Sequence, residues 1–190
     1  IYSEQPIDGP GKSNNLEYRA LEGFVYALTP FNFTAIGGNL CASAALMGNV
    51  VLWKPSDNQV YTAKITMDIF KEAGLPDGVI NLVTGDREVG EWMTADSRIP
   101  LLSATGSIRM GKEVAKVVGS RLGKSILELG GNNAIIISKD ADLEMAIRAT
   151  VFGAVGTCGQ RCTSTRRLIV HEEVYDKVKD RLVSIYQRIT

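Results

Sequence analysis

Phe24-Val25-Tyr26-Ala27-Leu28, a helix-period segment over residues 36–47, and Val50-Val51-Leu52-Trp53 together decide the fold. Two short runs of β-branched and aromatic residues separated by a helix cannot close as a hairpin, so they read as parallel strands joined by a crossover. The same rhythm continues outward. Strands are expected at 24–28, 50–53, 79–83 and 100–104, and helices at 36–47, 58–73 and 108–118. Gly74-Leu75-Pro76-Asp77-Gly78 supplies a helix stop and a turn into the next strand. The result is an α/β layer, doubly wound around a parallel sheet.

A second rhythm follows Glu128-Leu129-Gly130-Gly131, with a strand at 134–137, a helix at 142–153, a strand at 168–171 and a helix at 173–189. The glycine pair marks a domain junction, which divides the chain into an extended arm (1–19), a first α/β domain (20–129) and the start of a second (130–190). The last helix carries a core stripe of Val174, Val178, Leu182 and Ile185. Ile1 is not a Met and Thr190 ends an amphipathic helix in mid-course, so the reading is of a fragment.

Composition narrows the function. The 190 residues are 45% hydrophobic and 22% charged, with 21 basic and 21 acidic side chains. Such a balance offers no basic field for nucleic acid or an anionic membrane, and favours a small-molecule partner. No stretch reaches the roughly 18 to 20 apolar residues that span a bilayer, and no signal run opens the chain, so a cytoplasmic location is expected. Three cysteines and one histidine, His171, make neither a disulfide framework nor a metal site.

Several segments carry chemistry. Cys162 ends Gly153-Ala154-Val155-Gly156-Thr157-Cys158-Gly159-Gln160-Arg161-Cys162, a glycine-punctuated loop that presents a sulfur rather than packing it. Arg161 beside it either favours the reactive thiolate or is a surface charge. Cys158, four residues earlier, is close enough in sequence to form a disulfide under oxidation, although a regulatory role is the weaker reading. Glu128 sits in the apolar run Ser125-Ile126-Leu127-Glu128-Leu129, where a carboxyl group is either a paired structural group or a general base. Asn32 lies between Phe31 and Phe33, as a turn former or as an amide aimed at a developing oxyanion. Thr105-Gly106-Ser107 precedes a helix, either as an ordinary cap or as a phosphate cradle. Lys54, Ser56 and Asp57 end a strand where open α/β sheets bind ligands, and Asp57 is otherwise an N-cap. His171 and Cys41 read as structural.

Taken in order, Thr29-Pro30-Phe31-Asn32-Phe33, Trp53-Lys54-Pro55-Ser56-Asp57, Thr105-Gly106-Ser107, Glu128-Leu129-Gly130-Gly131 and Gly159-Gln160-Arg161-Cys162 resemble the aldehyde dehydrogenase superfamily over essentially the whole chain. Cys162 follows Glu128 by 34 residues, as the family pattern expects. The resemblance implies an incomplete aldehyde dehydrogenase fold, with a Rossmann-like NAD-binding domain and the start of a catalytic domain. It implies NAD, or NADP, as cofactor and a small-molecule aldehyde as substrate, in a homo-oligomer paired through the arm. It further implies that Cys162 attacks the aldehyde, that Asn32 and the Cys162 amide hold the oxyanion, and that Glu128 activates the water which hydrolyses the thioester once hydride has left. Lys54, Ser56 and Asp57 would hold the adenosine ribose, Thr105, Gly106 and Ser107 the pyrophosphate, and Leu129 the nicotinamide end, with Gly85 and Gly90 close to the cofactor. Phe33 and Arg161 would line the substrate site.

Phe31 stands where many members have Trp, Asp57 where many have Glu, and Ala104 where an aromatic residue is usual. The two halves resemble different members. Up to about residue 86 the chain is similar to 1-pyrroline-5-carboxylate (glutamate semialdehyde) dehydrogenase, and from about 91 to antiquitin, the α-aminoadipic semialdehyde dehydrogenase. Both oxidise semialdehydes bearing a distal carboxylate, which Arg161 is suited to pair with bidentately. The competing reading is a fragment that binds the cofactor without turnover.

Overall fold

The computed structural model describes residues 5–189; the first four residues of the expected arm, and Thr190 after the last helix, lie outside them. Residues 5–22 carry no regular element beyond one bridge between Gly9 and Lys12. The chain divides into two compact units, Ile1–Glu128 and Leu129–Thr190.

The first unit runs β1 (Val25–Thr29), α1 (Thr34–Leu46), β2 (Val51–Pro55), a 3-10 turn (Asp57–Gln59), α2 (Val60–Glu72), β3 (Ile80–Leu82), α3 (Arg87–Ala95), β4 (Leu101–Gly106), α4 (Ile108–Ser120) and β5 (Lys124–Leu129). The five strands lie in the order β3-β2-β1-β4-β5, and β1 pairs in parallel with both β2 and β4, as β2 does with β3. Alternation along β1 sends its side chains to two different cores. Val25 and Ala27 join Cys41 of α1, Val51 and Trp53 of β2, and Ala63 and Met67 of α2. Tyr26 joins Ile99, Leu102, Ala104 and, from α4, Val114 and Val118. Helices on both faces explain why Val51-Leu52-Trp53 shows no polar alternation: neither side of an inner parallel strand faces open water. Trp53 keeps its indole N–H satisfied inside this core by donating to Thr29 Oγ1 at 2.9 Å.

Two elements depart from the sequence reading. α3 was expected only as glycines near a cofactor, because Gly90 interrupts a thin apolar pattern in which only Thr94 is buried. Its start is nevertheless capped, with the Asp86 carboxylate accepting from the amides of Glu88 (3.0 Å) and Val89 (3.4 Å). β5 was not expected as a strand, because it is an edge strand on which none of the six residues is buried, four being exposed and two half-buried. Main-chain pairing fixes it instead, beginning with the Lys124 amide donating to Pro100 at 2.9 Å.

The second unit pairs β6 (Asn133–Ile137) in parallel with β7 (Thr165–Val170), between which come α5 (Leu143–Val155) and a tight turn, Gly156–Gly159; α6 (Glu172–Tyr186) follows. Ile137, Ile147 and Val178 are its fully buried apolar side chains. Of the expected stripe on α6, Val178 is buried and Val174, Leu182 and Ile185 are half-buried. An ion pair between Glu144 and Arg181 at 2.6 Å ties α5 to α6. The last strand begins at Thr165 rather than 168, and His171 lies beyond it, where Nδ1 accepts from the Glu173 amide at 3.3 Å and caps α6. Among the described residues no helix is long and apolar enough to cross a membrane.

Candidate active site

In the first unit the candidate residues follow the ends of parallel strands, and parallel strands put those ends on one edge of the sheet. β2 and β3 build out from one side of β1, whereas β4 returns to its other side. Open α/β sheets bind ligands at such a reversal, outside the carboxyl ends of the strands. Asn32 follows β1 directly, half-buried in the turn before α1, and that turn is held by Gln59, whose Nε2 donates to the Phe31 carbonyl. Phe33 takes the N-cap position of α1 with no side-chain cap.

Lys54, only 5% exposed, reaches from the end of β2 to Asp57, with Nζ 3.4 Å from Oδ1. Asp57 is therefore not the simple N-cap that was one of its two readings: Ser56 takes that position in the 3-10 turn, without a side-chain cap bond. Ser56 is fixed through its main chain, its amide donating to the Thr29 carbonyl at 2.9 Å. Gly90 faces this group, since a Cβ there would meet Tyr26 Oη at 3.7 Å and the Lys54 methylenes at 3.8 Å. Burial pushes the Tyr26 phenol well above its ordinary range. Gly85 holds φ at +153°, a conformation that other side chains resist.

Thr105 and Gly106 complete β4, and Ser107 starts α4 as its N-cap, with Oγ accepting from the Met110 amide at 3.1 Å. The capping role read from the sequence is thus present. It occupies one donor of the helix start and leaves the others directed along the axis beside Gly106.

Glu128 requires a correction. Its apolar neighbours suggested an enclosed carboxyl group, but the side chain is exposed. The reason is strand alternation at the sheet edge: Leu127 packs on the second core and Glu128 points the opposite way. Leu129 opens the second unit, half-buried.

In the second unit Cys162 is a free, exposed thiol. Three consecutive residues before it are left-handed: Thr157 at φ 55°, Cys158 at 52° and Gly159 at 66°. For Thr157 and Cys158 such a backbone is costly, so the surroundings must impose it. They do so through a dense set of bonds. The Gln160 amide donates to the Thr157 carbonyl at 2.9 Å, and the Arg161 amide to buried Ser164 Oγ at 3.1 Å. Asn133 Nδ2 donates to the Cys162 carbonyl at 2.7 Å. Gly131 permits the close approach, because a Cβ there would lie 2.9 Å from the same carbonyl oxygen. Among the described residues no hydrogen bond engages the Cys162 amide N–H, so a solvent-facing thiol and an available main-chain donor belong to one braced residue. That pairing suits a nucleophile whose product carries an oxyanion.

Arg161 is not a loose surface charge. Its guanidinium lies 4.8 Å from the Phe152 ring centroid, and Nε donates to Thr157 Oγ1 at 2.9 Å. Neither these contacts nor the Asn133 clamp was read from the sequence; the only signal was spacing, Thr157 standing four residues before Arg161. Cys158 is also exposed and free.

The first unit is a doubly wound sheet with a strand reversal at its centre, and the second is an α/β unit that carries an exposed thiol on a braced loop. The chain belongs to the aldehyde dehydrogenase family, whose model matches residues 2–190. Alpha-aminoadipic semialdehyde dehydrogenase of Mus musculus is 48% identical over 189 residues, which are 97% of this chain and 35% of that protein. Aldehyde dehydrogenase family 7 member B4 of Arabidopsis thaliana is 43% identical over 173 residues, covering 88% of this chain and 34% of the relative. Among solved structures, delta-pyrroline-5-carboxylate dehydrogenase from Mycobacterium tuberculosis, bound with NAD and cobalamin, superposes with a TM-score of 0.86 at 39% identity, over 96% of this chain and 36% of that one. Each of these similarities runs through both halves of the chain. The chain spans about a third of the length of the relatives it matches, 35% of the mouse protein.

Proposed function

We propose that this chain carries out the NAD-dependent oxidation of an aldehyde to a carboxylic acid, with an amino-acid semialdehyde as substrate. The observation that carries the reading is the exposed, free Cys162 on its braced loop. In this reading the Ile1–Glu128 unit binds the cofactor, the second unit supplies the nucleophile, and the arm pairs subunits. Lys54 and Asp57 hold the adenosine ribose through their paired charges, Ser56 adds a hydroxyl, and Thr105, Gly106 and Ser107 receive the pyrophosphate at the start of α4. The Asp57 carboxylate favours a 2′-hydroxyl and repels a 2′-phosphate, so NAD is preferred over NADP. NAD, when bound, supplies the hydride acceptor.

The thiolate of Cys162 adds to the aldehyde carbon, and the resulting oxyanion is stabilised by the Cys162 amide and the Asn32 side chain. Loss of hydride leaves a thioester on Cys162. Water deprotonated by Glu128 attacks it, expelling the thiolate and releasing the acid. Phe33 and Arg161 line the substrate, with Arg161 paired to its distal carboxylate. NADH formation by the purified protein, followed with glutamate semialdehyde and with aminoadipate semialdehyde, tests the reading. Turnover abolished by Cys162→Ala is expected. NAD binding with no turnover on either substrate, or turnover that survives Cys162→Ala, would overturn it.

A further inference from the structure

The guanidinium of Arg161 is held on three sides by its own unit. The Phe152 ring, itself 66% exposed, lies beneath it with its centroid 4.8 Å from Cζ. Nε is satisfied by Thr157 Oγ1 at 2.9 Å. The third side is Gly156, where a Cβ would collide with Nη2. Gly156 has φ −55° and ψ 135°, a backbone open to any residue, so its missing Cβ serves space rather than conformation. Phe152 and Gly156 stand one helical turn apart at the end of α5, which brings ring and gap to the same side.

Thr157 is the least expected of the three, because a β-branched residue resists φ 55°. Glycine there would relieve the backbone but remove the acceptor for Nε. Strain kept at a position that contributes one side-chain oxygen points to a use for that oxygen. Among the described residues no carboxylate pairs with Arg161, and no protein acceptor engages Nη1 or Nη2. The charge is fixed in place yet left un-neutralised, with its terminal nitrogens available, one residue from the nucleophile. An arginine ordered in this way by neutral contacts loses less freedom when an anion arrives.

We propose that Phe152, Gly156 and Thr157 are positioning residues for substrate specificity, locking Arg161 so that its terminal nitrogens receive the distal carboxylate of an aldehyde whose carbonyl carbon reacts at Cys162. This rests on the reading, given above, that Arg161 takes that carboxylate. The cradle selects a class of substrate, aldehydes carrying a carboxylate at the far end, against uncharged aldehydes of equal length.

The test compares 5-oxopentanoate with pentanal, two five-carbon aldehydes differing in that carboxylate, in the purified protein and its variants. Gly156→Ala and Thr157→Val are expected to lower the kcat/KM ratio of 5-oxopentanoate to pentanal about tenfold, chiefly through KM for 5-oxopentanoate, while Thr157→Ser and Phe152→Tyr preserve it. A ratio unchanged in Gly156→Ala and Thr157→Val but collapsed in Arg161→Ala overturns the cradle and leaves the carboxylate reading standing. A ratio unchanged in Arg161→Ala overturns both. A readout free of turnover is the NMR signal of the Arg161 Nε–H, expected to exchange slowly, to be shifted by the Phe152 ring, and to lose its protection in Thr157→Val. Exchange as fast as that of a free arginine in the unmodified protein would also overturn the proposal.

Discussion

At the scale of single residues, the candidate site is built from side chains whose type was legible and whose restraint was not. Cys162, Arg161 and Asn32 stood out because their neighbours are glycines, prolines and aromatics in short loops after helices and strands. Nothing in the order of residues told that Asn133, 29 positions before Cys162, donates to its carbonyl. Asn133→Ala removes this clamp without touching the thiol, and kcat/KM for aldehyde oxidation is expected to fall between about tenfold and a hundredfold. NAD affinity, measured by fluorescence titration, should not change; unchanged kcat/KM would show that the loop is held without Asn133. Glu128 teaches the opposite lesson. Its apolar neighbours in sequence suggested enclosure, but on a strand the adjacent residues face away from one another, so neighbours in sequence are not neighbours in space.

At the scale of elements, capping explains why the helices begin where they do. Asp142 accepts from the amides of Glu144 at 2.9 Å and Met145 at 3.1 Å and so caps the start of α5. Asp142→Ala is expected to cost about 1 kcal/mol of stability in urea denaturation. The turn between α3 and β4 has a titratable latch. Asp96 receives both its side-chain and main-chain bonds from Arg98, at 2.6–3.1 Å, and these hold its carboxyl down at about 2. A carboxylate lowered on folding adds stability that is complete above its unfolded range near 4 and is lost as pH falls toward 2. The stability difference between the parent protein and Asp96→Asn should therefore be largest at neutral pH and vanish between pH 4 and 2. A difference that stays constant over that range would show that the latch is not electrostatic.

At the scale of the molecule, the sheet carries two cores on opposite faces, and Trp53 reports on one of them. Leu102, fully buried in the other, should cost about 2–5 kcal/mol when cut to alanine, read as a lower midpoint in urea. If the first unit binds NAD, a hundredfold excess over Kd should raise its stability by about 2.7 kcal/mol. That gain should shrink in Lys54→Ala, and a midpoint indifferent to NAD would count against the cofactor site. By itself the sequence determined the alternation of strands and helices, the parallel sheet and the cap at Ser107, because periodicity and capping are local in the chain. Tertiary structure alone decided that Glu128 is exposed on an edge strand, that α3 forms around Gly90, that Lys54 is buried against Asp57, and that Arg161 is stacked, hydrogen-bonded and left without a counter-charge. Each of these depends on which face of a strand or turn meets which neighbour, and that is settled only when distant segments pack.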